Sequence, residues 1–168
     1  MAALTVAEAD ALAALAHAGQ VDKIGVPYVE HVRAVAHGLA PLGSVLEMAG
    51  LLHDVIEDTD RTADHLLDAG VPRAVVDLVR AVTKRPGVPY DEMIRQVAAD
   101  PLACLVKIAD NAHNALPDRA ARLPEDKRAQ LAAKYAAARR VLWPAAERRD
   151  VETILRRVNP ALLAELDA

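Results

Sequence analysis

Aromatic residues are scarce in this sequence of 168 residues, making up 2% of it, and phenylalanine is absent. Hydrophobic residues nevertheless account for 53% of the chain, so an apolar core has to be built from alanine, leucine and valine. Alanine and leucine are among the strongest helix formers. No segment alternates β-branched and polar residues in the way that indicates a half-buried strand. The composition therefore predicts an all-α fold.

The sequence also lacks a second cysteine, a bilayer-spanning apolar stretch and a surplus of basic residues. Cys104 has no partner for an internal disulfide, which suits a reducing compartment. No run of about 18 uninterrupted apolar residues occurs, and the N-terminus has no basic start typical of a signal peptide. Lys and Arg number 20 against 24 Asp and Glu, so no broad positive field is available for duplex nucleic acid. We therefore expect a cytoplasmic protein that contacts neither a membrane nor duplex nucleic acid.

Proline, glycine and Asx residues divide the sequence into roughly eight to ten helical segments, which we expect to form a multi-helix bundle in one domain over residues 1–168. Thr5 and Glu8 have the spacing of a capping box, which predicts where the first helix begins. A second helix is expected from Pro27 or Tyr28 to Leu39. A third is expected to run without interruption from Ser44 to about Glu57.

The segment LLHDVIEDT places four polar side chains in an otherwise apolar helix: His53, Asp54, Glu57 and Asp58. Because positions i and i+4 share a helix face, His53 is expected to project with Glu57, and Asp54 with Asp58. Burying this much negative charge is costly unless a cation compensates it. The segment therefore indicates a divalent cation site.

Two other helices offer side chains that complete such a site. His31 lies among apolar residues in PYVEHVRAVAHGL, and Asp110 lies at the end of the apolar helix that contains VKIADNAHN. With His53 and Asp54 they make a shell of two imidazoles and two carboxylates. Such a mixed shell suits Mn, Fe, Co, Ni or Zn better than Mg, which prefers oxygen ligands only. We predict one Mn²⁺ ion.

The order of these motifs, H, then HD, then ED, then D, resembles that of the histidine-aspartate (HD) phosphohydrolases. The segments AHAGQVDKIGVPYVEHVRAVA, AGLLHDVIEDT, VRAVTK and VKIADNAHN are similar to the hydrolase domain of the Rel/SpoT alarmone enzymes and to single-domain small alarmone hydrolases. The similarity covers residues 8–140. It implies an all-α HD-domain bundle that hydrolyses the 3′-pyrophosphate of a (p)ppGpp-like purine nucleotide.

The resemblance also implies roles for individual residues. It implies that the metal is bound by the two histidines and two aspartates described above, His31, His53, Asp54 and Asp110. The acidic pair Glu57 and Asp58 matches the residues that orient and deprotonate the attacking water in the family. Substrate contacts are implied for Lys23, Asn114 and Tyr135, and for Lys107, which is equally a candidate for a structural counter-charge to the acidic site. His113 and the remaining histidines receive no role.

One position departs from the family pattern, in the loop that contains VDKIG. Related enzymes commonly carry an arginine there that stacks on guanine, whereas this sequence has Asp22. A carboxylate offers no planar cation for a purine, so the base preference stays open. The alternatives are a phosphatase acting on a nucleotide such as NADPH, and a non-catalytic binding or antitoxin-like protein.

Overall fold

The computed structural model describes residues 4–168, and the regular secondary structure in this part of the chain is helical, with no strand beyond an isolated bridge between Val21 and Pro27. The predicted all-α fold is confirmed. No helix in the described range combines the length and apolar character needed to cross a membrane. Short 3₁₀ turns also occur at Ala40–Leu42, Trp143–Ala145 and Pro160–Leu162. The helices are α1 Val6–Ala16, α2 Tyr28–Leu39, α3 Ser44–Leu52, α4 Val55–Asp58, α5 Ala63–Asp68, α6 Arg73–Val82, α7 Tyr90–Ala98, α8 Pro101–Asn114, α9 Pro117–Ala121, α10 Glu125–Leu142, α11 Arg148–Val158 and α12 Leu163–Leu166.

Side-chain caps fix the beginnings of several of these helices, α1 and α8 among them. The predicted capping box of α1 is present: the Glu8 N–H donates to the Thr5 hydroxyl, and the Thr5 N–H donates to the Glu8 carboxylate. At the start of α8, Asp100 accepts hydrogen bonds from the N–H groups of Leu102 and Ala103. These caps satisfy N–H groups that have no partner within the helix. Both helices therefore begin at defined residues.

Helix α8 is the centre of the core, with ten of its fourteen residues buried. It packs against α2, α3, α6, α7, α10 and α11. A helix surrounded in this way can carry apolar residues on nearly every face. The polar residues at its C-terminal end, which include Asp110, are therefore held inside the bundle.

The helices α2 and α3 approach each other closely at Gly50. A Cβ atom added there would lie 2.8 Å from the Cα of Ala36 and 3.0 Å from its backbone nitrogen. Because the obstruction is backbone, a larger residue has no flexible neighbour to displace. This contact sets the distance between α2, which carries His31, and the end of α3, which precedes His53.

The predicted third helix is wrong in one respect, because it does not continue from Ser44 to Glu57. Helix α3 ends at Leu52, and α4 begins at Val55 after a turn at His53 and Asp54. In a continuing helix the Gly50 carbonyl would accept from the Asp54 N–H. Here it accepts from the His53 ring nitrogen Nδ1 at 2.7 Å. The histidine side chain thus competes with the backbone for this acceptor, at the point where the helix ends.

Candidate metal centre and substrate pocket

The predicted metal ligands come from three segments of the chain that meet inside the bundle. His31 lies in α2, Asp110 in α8, and His53 and Asp54 at the turn between α3 and α4. One nitrogen or oxygen from each of His31, His53 and Asp54 lies within 4.8 Å of the others. The Oδ1 atom of Asp110 is 3.3 Å from His31 Nε2 and 3.8 Å from His53 Nε2. The four side chains are therefore brought together, while their role as ligands stays a prediction.

The His53 ring is oriented as a cation ligand has to be. Its Nδ1 atom donates a hydrogen to the Gly50 carbonyl, so Nε2 bears a lone pair in the neutral ring. That atom is buried without a hydrogen-bond partner, although the Asp54 oxygen Oδ2 is only 3.0 Å away. A lone pair facing an anionic oxygen is unfavourable unless a proton or a metal cation lies between them. This arrangement fits a divalent metal ion.

His31 is supported by a second buried histidine that the sequence analysis left without a role. The Nδ1 atoms of His31 and His113 are 2.7 Å apart. His31 Nε2 faces Asp54 and Asp110, so binding a cation there requires Nδ1 to carry the hydrogen and donate it to His113. Burial, together with repulsion from His31 and Arg119, lowers the pKa of His113 to about 3. A neutral His113 is the acceptor that this hydrogen bond needs.

Opposite pKa changes occur in the carboxylates and imidazoles of the centre. Burial alone would raise the pKa of Asp54, but attraction to the imidazoles of His53 and His31, which lie 3.0 and 3.5 Å from its Oδ2 atom, lowers it. The pKa of Asp110 is also lowered, because Lys107 and the imidazoles outweigh the effect of burial. Burial would lower the pKa of His53, yet the carboxylates facing it raise it well above its ordinary value. Without a metal ion, the carboxylates therefore retain protons on the imidazoles.

Two of the predicted substrate contacts, Lys107 and Asn114, are hydrogen-bonded to Asp110. The Lys107 ammonium donates to Asp110 Oδ2 at 2.7 Å, and the Asn114 amide donates to Oδ1 at 2.6 Å. The three side chains lie on one face of α8, because positions i+3 and i+4 are neighbours. Both residues therefore orient the carboxylate that faces the imidazoles.

The predicted acidic pair lies at the mouth of the centre and is exposed. Glu57 accepts a hydrogen bond from the Lys84 N–H at 2.7 Å. Asp58 lies 2.9 Å from the Tyr28 hydroxyl, which is also 2.7 Å from the Asp54 carboxylate. The single hydroxyl proton is thus shared between a predicted ligand and a predicted catalytic residue. Tyr28 is a site residue that the sequence analysis placed only at the start of a helix, although its position three residues before His31 indicates a shared face.

A cavity of about 440 Å³ opens beside the centre and is large enough for part of a nucleotide. Its walls come from the loop at residues 20–23, from α7 and α8, and from α10. The predicted acidic pair and the predicted substrate residues lie in one wall or another of this cavity: Glu57, Asp58, Lys23, Lys107, Asn114 and Tyr135. The cavity therefore joins the predicted metal, catalytic and substrate positions.

Asp22, the departure from the family pattern, is used to build the cavity wall. Its carboxylate accepts hydrogen bonds from the N–H groups of Ile24 and Val26 at 2.9 and 3.0 Å. The other oxygen pairs with the Arg119 guanidinium at 2.6 Å, and the Asp22 side chain is only 4% exposed. The loop is tied a second time by Arg122, the residue after α9, which donates to the Ile24 carbonyl at 3.0 Å. The carboxylate is therefore occupied within the protein, and Arg119 is the cationic group that lines the cavity beside it.

The family model of the HD domain matches residues 9–152 of this sequence, so the chain belongs to the HD-domain family. Proteins of the SpoT type are among its relatives. A probable GTP pyrophosphokinase of Mycobacterium leprae is 36% identical over 129 residues, which are 69% of this chain and 16% of the relative. The bifunctional (p)ppGpp synthase/hydrolase SpoT of Escherichia coli is 36% identical over 112 residues, covering 59% of this chain and 16% of SpoT. The predicted resemblance to the Rel/SpoT proteins is confirmed.

Another relative is the guanosine-3′,5′-bis(diphosphate) 3′-pyrophosphohydrolase of Aquifex aeolicus, which is 37% identical over 108 residues, or 58% of this chain and 15% of that protein. The chain thus spans about a sixth of the length of these curated relatives. A solved structure, described as a metazoan SpoT ortholog that hydrolyses ppGpp, matches with a TM-score of 0.69 and 24% identity. The match covers 95% of this chain and 98% of the chain in that structure, so the two share the fold over nearly their whole length.

Proposed function

We propose that this protein is a metal-dependent pyrophosphohydrolase that removes the 3′-pyrophosphate from a (p)ppGpp-like purine nucleotide. The observation that supports this most directly is the buried Nε2 atom of His53, which faces two carboxylates beside a cavity large enough for part of a nucleotide. The relatives named as hydrolases of this nucleotide support the substrate. The small-molecule partner is then a nucleotide that enters the cavity.

The ligands proposed for the cation are His31, His53, Asp54 and Asp110. HD domains bind divalent metals, and the mixed nitrogen and oxygen donors favour Mn²⁺ over Mg²⁺. Such an ion would lower the pKa of a water molecule bound to it and would polarise a phosphoryl oxygen of the substrate. Lys107 and Asn114 hold the Asp110 carboxylate in place by hydrogen bonds to its two oxygens.

The proposed proton acceptors are Glu57 and Asp58. Both carboxylates are exposed to the cavity, so either can accept a proton from a water molecule that attacks the phosphoryl group. The Lys84 N–H orients Glu57, and the Tyr28 hydroxyl orients Asp58. Attack forms a bond between the water oxygen and phosphorus and breaks the bond between phosphorus and the ribose 3′-oxygen. Pyrophosphate is released, and the 3′-oxygen takes up a proton and leaves as the ribose hydroxyl. Lys23 and Tyr135 line the same cavity and are proposed to contact the nucleotide.

The test is to measure pyrophosphate and orthophosphate release, with purified protein and Mn²⁺, from guanosine and adenosine 3′-pyrophosphates and from NADPH. Pyrophosphate release that disappears in Asp54→Ala supports the proposal. Orthophosphate alone, released from NADPH, contradicts it and favours the phosphatase alternative. That alternative is supported by Asp22, because the buried carboxylate replaces the arginine expected to stack on guanine.

A non-catalytic binding or antitoxin-like role is tested separately. The double substitution of Glu57→Gln and Asp58→Asn removes both proposed proton acceptors and leaves the proposed ligands intact. The proposal predicts that turnover and any biological effect are lost together. A biological effect that survives the loss of turnover would favour binding over catalysis.

A further inference from the structure

One buried histidine, His17, belongs neither to the metal centre nor to the proposed reaction. It lies immediately after α1 and is only 3% exposed. Its Nδ1 atom lies 2.6 Å from the side-chain oxygen Oε1 of Gln20. Its Nε2 atom is buried and has no hydrogen-bond partner among residues 4–168. The polar atoms of a buried ring normally have partners, and in this part of the chain Gln20 supplies the only one.

The hydrogen bond fixes which end of the Gln20 amide faces His17. If the neutral ring carried its hydrogen on Nε2, a donor would be buried without an acceptor, which is costly. The hydrogen therefore lies on Nδ1, which donates to Gln20 Oε1. The amide oxygen is thus occupied by the protein, and the NH₂ group lies on the other side of the amide.

The NH₂ group of Gln20 is left for a ligand in the cavity. Gln20 is half-buried and lines the cavity, and its Nε2 atom donates to no other residue in the described part of the chain. The backbone of Gln20 is also held on both sides. Its N–H donates to the His17 carbonyl at 3.0 Å, and its carbonyl accepts from the Tyr28 N–H at 2.9 Å. An uncharged donor is therefore presented to the cavity from a fixed backbone.

The His17 ring makes a second contact, through its face. The ring centres of His17 and Tyr28 are 4.9 Å apart. Substitution separates this contact from the hydrogen bond. His17→Asn keeps an N–H donor at the position of Nδ1 and removes the ring, whereas His17→Phe keeps a ring and removes the donor.

We propose that the Gln20 NH₂ group donates a hydrogen bond to an oxygen atom of the bound nucleotide, and that His17 is the positioning residue that orients this amide. A glutamine side chain loses rotamer freedom when it binds a ligand. Here the hydrogen bond from His17 fixes the amide in advance, which lowers the entropic cost of binding. This inference rests on the proposed function in one respect, because it takes the ligand of the cavity to be a nucleotide.

The first test is NMR spectroscopy of the Gln20 side-chain NH₂ group while guanosine 5′-diphosphate is added to metal-free protein, which requires no turnover. Gln20→Leu identifies the signal, because its pair of peaks disappears in that variant. The pair is expected to shift in the unaltered protein and in His17→Asn, and to shift less in His17→Phe. A pair that does not move in the unaltered protein overturns the contact. An unchanged shift in His17→Phe overturns the role of His17.

Calorimetric titrations measure the strength of the contact and identify its acceptor. Gln20→Leu is expected to raise the Kd for guanosine 5′-diphosphate about tenfold, as loss of a hydrogen bond to a polar ligand does. Gln130→Leu, an exposed glutamine of α10 outside the cavity, is expected to leave Kd unchanged. A Kd that rises for inorganic pyrophosphate but not for guanosine assigns the contact to a phosphoryl oxygen, and the reverse assigns it to the nucleoside. Equal rises for both probes indicate a distorted cavity and overturn a single contact, as does an unchanged Kd for guanosine 5′-diphosphate.

Kinetics separate orientation of the amide from a merely structural role of His17. Gln20→Leu and His17→Phe are expected to raise KM about tenfold with little change in kcat, and His17→Asn to restore KM. Equal losses of kcat in both His17 variants overturn the positioning role, because the ring contact with Tyr28 would then be responsible. If the unaltered protein releases no pyrophosphate, the proposed function fails, but the measurements with guanosine 5′-diphosphate still decide whether Gln20 contacts a nucleotide.

Discussion

Asp22 and Arg119 form an ion pair of 2.6 Å although 97 residues separate them in the chain. The pair joins the loop after α1 to α9, and the Asp22 side chain is almost completely buried. The same carboxylate holds two N–H groups of its own loop. One acidic residue thus shapes the loop and fixes it against α9 in the cavity wall.

A double-mutant cycle measures how strongly this pair is coupled. We expect Asp22→Asn and Arg119→Gln each to lower the free energy of unfolding, and the double variant to lose less than the sum. A coupling of about 1 kcal/mol is typical of contacting, partly buried partners. Chemical denaturation of the four proteins measures it. Strictly additive losses would contradict the coupling.

Removal of the Asp54 carboxylate is expected to abolish metal binding. Asp54→Ala removes one proposed ligand, so Mn²⁺ is expected to give no increase in Tm and no calorimetric binding signal. Asp68→Ala is the matched control, because Asp68 is exposed and forms no ion pair among the described residues. The control should retain the full increase in Tm. If Asp54→Ala binds Mn²⁺ as tightly as the control does, Asp54 is not a ligand.

The stability of the metal-free protein is expected to fall as the pH rises above the ordinary histidine value of 6.5. The pKa values of His31 and His53 are raised in the folded state. Their contribution to the free energy of unfolding is therefore complete below pH 6.5 and is lost as the pH rises through the raised pKa values. Metal ions require unprotonated imidazoles. The increase in Tm caused by Mn²⁺ should therefore grow over the same pH interval.

The lowered pKa values of Asp54 and Asp110 have the opposite consequence. Their stabilising contribution is present above the ordinary carboxyl value of 3.8 and is lost as the pH falls below it. Denaturation measured across the pH range without metal should therefore give a maximum between the two limits. A metal-free protein whose stability does not change with pH would contradict the charge distribution described for the centre.

His113 is expected to control metal affinity through His31. Substitution of groups that hydrogen-bond to a metal ligand typically costs about 10–100-fold in affinity. His113→Phe removes the acceptor for His31 Nδ1, and we expect a loss within this range. His113→Asn keeps an acceptor and should recover part of the affinity. Competition with a chelator measures both variants, and equal affinities for them would exclude a role for the hydrogen bond.

Gly50→Ala is expected to destabilise the protein by about 1–3 kcal/mol, the usual cost of overpacking. The added methyl group meets the backbone of Ala36 at 2.8 Å, so α2 and α3 must separate. Because these helices carry His31 and lead into His53, metal affinity is expected to fall as well. Thermal unfolding and a Mn²⁺ titration measure the two effects. Unchanged stability would mean that the helices can separate without cost.

Local signals in the sequence predicted much of the fold. The start of α1 follows from Thr5 and Glu8, which are three residues apart and form the capping box. The predicted end of α3 is wrong, because helix propensity does not show where a side chain replaces a backbone N–H as the donor to a carbonyl. The His53 ring does so, and the continuous helix through Glu57 is therefore interrupted.

The centre contains partners that no local pattern reveals. His113 contacts His31 across 82 residues of chain, so its role depends on the packing of α2 against α8. Tyr28 reaches Asp54 and Asp58 in the same way. The ligand set proposed from the motifs requires only residue types and their order. The hydrogen bonds that orient those residues depend on tertiary contacts.

The hydrogen bond from His53 to the Gly50 carbonyl has a consequence for how the centre acquires its ion. The backbone oxygen accepts from Nδ1 where α3 ends, so the fold itself fixes which ring nitrogen carries the hydrogen in the neutral imidazole. An arriving ion then finds Nε2 already directed towards Asp54, at 3.0 Å. Loading the centre consequently requires the departure of a proton from Nε2, with no rotation of the ring at this residue.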